Sequence, residues 1–410
     1  MPVGLFWAAI VGNVLKNFDL ALLGLIAPFI APLFFPTNDP LTALILTYAL
    51  IPIGFISKPI GAYFFGRLGD HWGRRSALMV TSCGMGITTG LMGCLPTYDH
   101  VGAWAPIFLA LGRVLQNFFA AGESTGGSLL LIESTALKKR SLMSSLYDAS
   151  SIMGILVASL SITCLGFKGM MEQGWRYLYL FGFLSAVLGV VIRYHVDESK
   201  DFKLASETKP MFSPRWRRHL ICIVFATGFT YLTYSIPLTL MNGFLPLISS
   251  VTREEAIALN TILLGVDLCL LPLFGYMAMR IKKEKLMVFA ALSVAILAVP
   301  LWNQQIGGGI WPALVFRTVI VTLGALFAAP FHYWSQDGLN VKERYTVIAM
   351  GKSIGSQIIG YPAPAICLLV YQKTGWAYTP ALFLVVTALM GAGSVIFRNQ
   401  LLFLEAKQKC

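Results

Sequence analysis

Gly66-Arg67-Leu68-Gly69-Asp70-His71-Trp72-Gly73-Arg74-Arg75 is a short, charged, glycine-punctuated stretch set between two long apolar segments. One segment runs from about residue 41 to 65 and the other from about 77 to 95. Glycines permit a sharp reversal of the chain, and water-soluble proteins rarely bracket a charged turn in this way. The stretch predicts a membrane protein, a tight turn between two spans, and a cytoplasmic side for that turn.

Composition agrees. The 410 residues are 56% hydrophobic and 12% charged, with mean hydropathy +0.71. Soluble domains carry about 25% charged residues, so too few charges remain here to cover a soluble surface and the bilayer must be the main solvent. Net charge is +12. The basic residues sit in small groups between apolar runs rather than on one stripe, which argues for membrane topology and against a nucleic-acid partner. The seven cysteines, at 83, 94, 164, 222, 269, 367 and 410, form no CxxC pair. They read as small hydrophobes rather than a disulfide framework or metal site. No basic segment precedes the first apolar run, so residues 2–35 are expected to be a retained span rather than a signal peptide.

A span needs about 20 mostly apolar residues. Twelve candidates fit: 3–34, 42–66, 76–95, 103–134, 142–166, 175–195, 219–248, 255–279, 286–303, 310–334, 345–371 and 377–398. Pro28, Pro32, Pro237, Pro272, Pro330, Pro362 and Pro364 are expected to kink or break them. Alternate connections carry the Lys and Arg residues: Arg67, Arg74 and Arg75; Lys138, Lys139 and Arg140; Lys200 to Arg218; Arg280 to Lys285; Lys342 and Arg344. The intervening connections hold only Lys168, Arg176, Arg253 and Lys373. That alternation predicts an all-α membrane protein of twelve transmembrane helices with both termini cytoplasmic. A polar stretch at 197–218 reads as a cytoplasmic linker dividing two six-helix bundles, 1–196 and 219–410. The halves echo each other weakly, because Gly275–Lys283 follows the second span of its half as Gly66–Arg75 does. Repeated halves are a feature of secondary transporters, whose substrate site lies between them.

These residues, with Gly12-Asn13, Phe18-Asp19, Lys58-Pro59-Ile60-Gly61, Arg113-Val114-Leu115-Gln116, Gly122-Glu123, Gly126, Trp175-Arg176 and Arg344-Tyr345-Thr346, resemble the metabolite:proton symporters of the major facilitator superfamily. That group includes proline/betaine and α-ketoglutarate permeases. The resemblance covers nearly the whole chain and implies the major facilitator fold. It also implies that the first loop, with Gly66, Asp70, Gly73, Arg74 and Arg75, helps hold the cytoplasmic side closed. Asp70 and Arg74 would pair with each other or with nearby helix ends. His71 stands where the family usually has Arg or Lys. In the second-half copy Met279 takes the acid's place, so gate pairing there should be weaker or absent.

Ionisable groups at mid-bilayer are costly, so they should face a cavity or pair. The candidates for a substrate or proton pathway are Lys16, Asp19, Lys58, Arg113, Glu123, Asp148, Asp267, Arg317 and Lys352. Glu133 and Asp337 lie near span ends and read as interfacial. Lys16 and Asp19 are three residues apart on one helix face. They either neutralise each other or meet substrate and proton. Lys16 stands where the family usually has Glu, and Asn17 where it has Trp, so Asp19 and Glu123 are the expected protonatable pair. Arg113 matches an arginine associated with proton transfer. It stays charged, so its role must be electrostatic.

Gly122-Glu123-Ser124-Thr125-Gly126 fits the hydrolase elbow G-x-S-x-G, but that motif needs a strand-to-helix turn and here lies inside an apolar span. No Walker A, HExxH or Rossmann context occurs. The expectation is a secondary transporter rather than an enzyme, needing no cofactor and using a proton gradient. Its partners would be a small organic solute, protons and the lipid bilayer, and it is expected to be monomeric in a bacterial inner membrane. A slight excess of interior positive charge favours a carboxylate metabolite such as an α-ketoglutarate-like acid. Zwitterionic osmolytes such as proline or betaine come second, with Tyr231, Tyr234, Trp334 and Tyr361 available to cage a quaternary ammonium. A non-transporting receptor or scaffold is the alternative of another class, although it would have little reason to keep the interior charges.

Overall fold

The structure, a computed structural model, describes residues 3–36, 54–167, 171–194, 198, 202 and 216–409. Every regular element among them is helical. The long helices are α1 (Val3–Phe34), α2 (Gly54–His71), α3 (Arg74–Gly93), α4 (Trp104–Glu133), α5 (Arg140–Phe167), α6 (Met171–Tyr194), α7 (Trp216–Tyr234), α8 (Arg253–Arg280), α9 (Lys283–Asn303), α10 (Ile310–Ala328), α11 (Val341–Ile354) and α12 (Thr379–Lys409). Among the described residues, ten stretches are long and apolar enough to cross a membrane. They coincide with ten of the twelve expected spans. Of the expected second span, residues 42–53 lie outside the described residues and the rest falls in α2. The expected third is α3, a helix of 20 residues rich in Gly, Ser and Thr. The linker at 197–218 lies almost wholly outside the described residues, as does Lys168.

The stretch expected as a loop at 66–75 is mostly helix. α2 continues to His71 and α3 starts at Arg74, leaving Trp72 and Gly73 as the connection. Gly73 makes the reversal with φ +103°, a region open to glycine and strained for other residues. The counterpart between α8 and α9 is equally short, Ile281 and Lys282.

The prolines divide into two groups. Pro237 sits in a π-type segment, Ser235–Leu240, that carries α7 on into Met241–Ile248. A second π-type segment, Gly355–Gly360, precedes Pro362 and joins α11 to Ala363–Thr374. There Tyr361 N–H donates to Ser356 O at 2.9 Å, across five residues. Wide turns of this kind often mark functional sites. Pro330 separates α10 from the short helix Phe331–Trp334. Pro364, by contrast, sits in the first turn of its helix, where a missing N–H costs nothing. Pro28 and Pro32 lie inside α1, and Pro272 inside α8, and neither helix is broken there.

The helices form two compact units. The first contains α1 to α4, α5 from Ser150 onward, α6 and Val341–Ala349. The second contains Thr135–Ala149, α7 to α10, α11 from Met350 onward and α12. In the first unit α3 packs on α4 and α6, α2 on α4, and α1 on α6 and α4. Phe18, Leu22, Ile26, Ile30 and Phe34 recur every four residues along α1 and are almost fully buried. This is the helical stripe that spacing dictates. Phe34 meets Trp175 of α6 edge-on at 5.9 Å. Arg176 lies over the Trp175 ring and donates to Gly93 O and Leu95 O at 3.0 and 2.7 Å. It thus satisfies carbonyls at the end of α3. In the second unit α12 packs on α9 and α7, and α10 on α9, α8 and α7.

Candidate functional site

Two of the first unit's buried acids, Asp19 and Glu123, are served by α3. Asp19 of α1, 2% exposed, accepts a hydrogen bond from Thr89 Oγ1 at 3.4 Å, while its Oδ1 has no hydrogen-bond partner among the described residues. Thr89 also accepts from Gln116 Nε2 at 3.0 Å, and Gln116 Oε1 accepts from Arg113 at 3.2 Å. Arg113 further donates to Leu20 O at 3.3 Å. A polar chain therefore runs from Arg113 to Asp19 through two neutral side chains. Gly182 of α6 makes room for it, because a Cβ there would collide with Asp19 Oδ1. Glu123 of α4 accepts from Thr81 Oγ1 and Ser82 Oγ at 3.1 and 2.9 Å.

These α3 hydroxyls were not singled out from the sequence. They also account for the weak apolarity of α3, since a helix that solvates two acids cannot be uniformly greasy. Lys16, three residues before Asp19, has its own partners. Its Nζ donates to Asn13 Oδ1 at 2.8 Å and Ser124 Oγ at 3.1 Å. Asn13 in turn donates to Ser150 and Ser151, each at 2.8 Å. Ser124 lies in unbroken α4 and back-bonds to Ala120 O, so no hydrolase elbow exists. Lys58 is half-buried on α2.

The second unit gathers the remaining ions. Asp148 of α5 pairs with His332 Nε2 at 2.8 Å, and Lys352 Nζ of α11 lies 3.3 Å from His332 Nδ1. His332 was missed in the sequence, where a lone histidine in an aromatic run reads as packing. Tyr234 donates to Asp267 Oδ1 at 3.1 Å, and the other Asp267 oxygen is buried with no hydrogen-bond partner among the described residues. Arg317, fully buried, donates to Ala256 O at 2.7 Å and to Asn242 and Asn260 side chains. Tyr231 and Tyr361 rings lie 5.5 Å apart. Trp334 instead carries the Arg398 guanidinium over its ring at 4.4 Å. Arg398 is fully buried and donates to Ser335 O and Asp337 O at 2.9 and 2.6 Å.

At the α2–α3 turn, Asp70 is 1% exposed and accepts four hydrogen bonds. Oδ1 takes Tyr345 N–H at 3.0 Å and Arg74 Nη1 at 3.2 Å; Oδ2 takes Thr346 N–H at 2.8 Å and Thr346 Oγ1 at 2.7 Å. Arg74, fully buried, also donates to Gly69 O at 2.7 Å, Val341 O at 2.5 Å and Glu133 at 3.2 and 3.3 Å. Glu133 takes a further bond from Arg344 at 2.9 Å. Glu133 is therefore the buried centre of an arginine pair. Asp337 does remain partly exposed, paired with Lys283 at 2.8 Å. Gly66 permits the approach of α11, since a Cβ there would lie 2.6 Å from Thr346 Cα. Burial pushes the Asp70 carboxyl up, and Arg74 with the Tyr345 and Thr346 donors pulls it back only in part. Burial pulls the Arg74 guanidinium down, but Glu133 and Asp70 more than offset it and its pKa is raised.

Glu198 completes the turn. It accepts from Arg74 N–H at 3.0 Å and Arg75 N–H at 3.1 Å, capping α3 where Gly73 has no side chain to do so. Arg75 also donates to Tyr194 O. In the sequence Glu198 belongs to the polar linker and carries no such signal. Glu198→Ala is expected to destabilise the protein by about 1 kcal/mol, the usual worth of a helix cap. A thermal-unfolding series in detergent checks this, and an unchanged midpoint would exclude the cap. At the second-half counterpart no acid occupies Met279, and Arg280 instead donates to Tyr276 OH at 2.5 Å.

Residues 5–210, half of the chain, match the model of the sugar (and other) transporter family. The chain is 28% identical over 426 residues to the glycine betaine/proline/ectoine/pipecolic acid transporter OusA of Dickeya dadantii, covering 96% of this chain and 82% of that protein. It is 27% identical over 417 residues to the proline/betaine transporter of Escherichia coli strain K12, covering 94% and 81%. Among solved structures, the proton:xylose symporter XylE bound to 6-bromo-6-deoxy-D-glucose superposes with TM-score 0.78 at 14% identity, covering 97% of this chain and 95% of that one. That likeness shows the major facilitator fold.

Proposed function

Since the chain belongs to the sugar (and other) transporter family, an integral multi-pass membrane transporter family and not an enzyme family, we propose that it imports a zwitterionic osmolyte of the proline and betaine kind, driven by protons. The observation that carries this reading is the pair of relatives named for those solutes across 94–96% of the chain. It displaces the α-ketoglutarate-like acid from first place. The chemistry is compatible. A zwitterion needs a cation for its carboxylate and an acid or aromatic face for its ammonium. The first unit supplies Lys16 and Arg113 as cations of that kind.

The fuller architecture belongs to the same proposal. It has twelve spans with both termini cytoplasmic, in halves 1–196 and 219–410, as a monomer in a bacterial inner membrane. The Asp70–Arg74–Glu133–Arg344 cluster is then a cytoplasmic latch, and Asp19 and Glu123 are the acids that take up protons. No cofactor is needed. The test is uptake by the purified protein in liposomes. Labelled glycine betaine and proline are expected to accumulate under an inward proton gradient, and α-ketoglutarate is not. Gradient-driven α-ketoglutarate uptake alone would reverse the choice of substrate.

A further inference from the structure

We propose that His332 is a proton-operated switch, binding a proton at Nδ1 and thereby releasing Lys352. The inference rests on the proton-coupled reading above and adds a protonation site on the second unit. Three groups form a chain of contacts: Lys352 Nζ lies 3.3 Å from His332 Nδ1, and His332 Nε2 lies 2.8 Å from Asp148 Oδ1. A lysine ammonium can only donate, and an ionised carboxylate can only accept. Both contacts are satisfied when the imidazole is neutral, with its hydrogen on Nε2 and a bare lone pair on Nδ1. The row Lys⁺–His–Asp⁻ then has net charge zero.

One further proton changes the geometry. It has a single place to go on the ring, Nδ1, and the electron pair it takes is the one Lys352 was using. Lys352 keeps its own proton, so two donors and two like charges face each other across a separation fit for a hydrogen bond. The contact turns from attractive to repulsive, while the imidazolium–Asp148 pair tightens. Histidine is the side chain whose charge changes nearest neutral pH, so a physiological gradient can work this device.

The surroundings hold the ring and leave Lys352 as the member that moves. Ser144 Oγ of α5 accepts from His332 N–H at 3.1 Å, and the Tyr147 ring meets the imidazole edge-on at 5.2 Å. Phe331, its chain neighbour, packs against the ring at 5.9 Å. Among the described residues, Asp148 from α5 and Lys352 from α11 face the imidazole with charge. Tyr231 and Tyr234 from α7 and Asp267 from α8 act on Asp148 in turn. Lys352 stands three residues before the π-type segment Gly355–Gly360 and six after Thr346, which Asp70 holds.

The experiment compares wild type, His332→Gln and Lys352→Gln in liposomes, using glycine betaine and proline. Exchange without a gradient and accumulation under a gradient are both measured. A gradient of about one pH unit supports about tenfold accumulation for one proton per solute. Both variants are expected to exchange solute as wild type does and to lose that accumulation. Gradient-driven accumulation at the wild-type level in either folded variant overturns the switch. So does loss of exchange in both folded variants, which would make these residues part of solute binding. If neither variant folds, the pH profile of wild-type exchange decides: a pH-dependent step is expected, and a flat profile overturns the switch. A wild type that ignores the gradient defeats the functional reading itself, a result separate from any variant's behaviour.

Discussion

Asp70→Asn is expected to open the latch about 100-fold. The wild-type carboxylate accepts two backbone N–H groups, one hydroxyl and one guanidinium while nearly excluded from water. An amide presents one acceptor and two donors, so its nitrogen faces groups that also donate. Breaking a buried charge pair by removing one partner costs about 3–5 kcal/mol. The loss falls on the state in which α11 reaches Asp70. A difference of about 3 kcal/mol moves the balance between that state and its open alternative by about 100-fold. A cysteine at Ser128, buried on α4 five residues before Glu133, reports the opening. Its labelling by an impermeant maleimide in inverted vesicles should accelerate in the Asp70→Asn background, and solute accumulation should fall. Unchanged labelling would mean that Asp70 does not hold the closed state.

Asp19→Asn is expected to abolish gradient-driven accumulation while exchange persists. The amide fills the space that Gly182 leaves and keeps an oxygen for Thr89, so packing is preserved. What it cannot do is gain and lose a proton. A buried carboxyl at membrane depth costs at least about 2.5–3.5 kcal/mol, and one of its oxygens has no hydrogen-bond partner among the described residues. Such a group is retained for what it binds. Glu123→Gln should behave similarly, because Thr81 and Ser82 can still donate to the amide oxygen. Thr89→Val should give an intermediate loss, since it removes the link to Gln116 without removing the acid. Liposome accumulation at a fixed gradient ranks the three. Full accumulation in both amide variants would remove these acids from the proton route.

What could be read from the sequence was local. The turn at 66–75 announces itself because its glycines and charges are contiguous and flanked by apolar runs. Partners were not legible. Thr346 lies 276 residues from Asp70, and Asp148 lies 184 from His332. Glu198 looks like any linker charge until the helix it caps is seen. The hydroxyls of α3 were the subtlest case: Thr81, Ser82 and Thr89 lowered its apolarity, a signal that reads as a weaker span rather than as a polar lining.

The latch has an unequal grammar. Asp70 addresses two main-chain N–H groups of α11, and every amino acid except proline supplies an N–H. For those two bonds the receiving helix is specified by its backbone, whereas the giving side is specified to a single carboxylate. A change at position 346 keeps its backbone bond and, if serine replaces threonine, the hydroxyl bond as well. At position 70 a change of one atom alters the message.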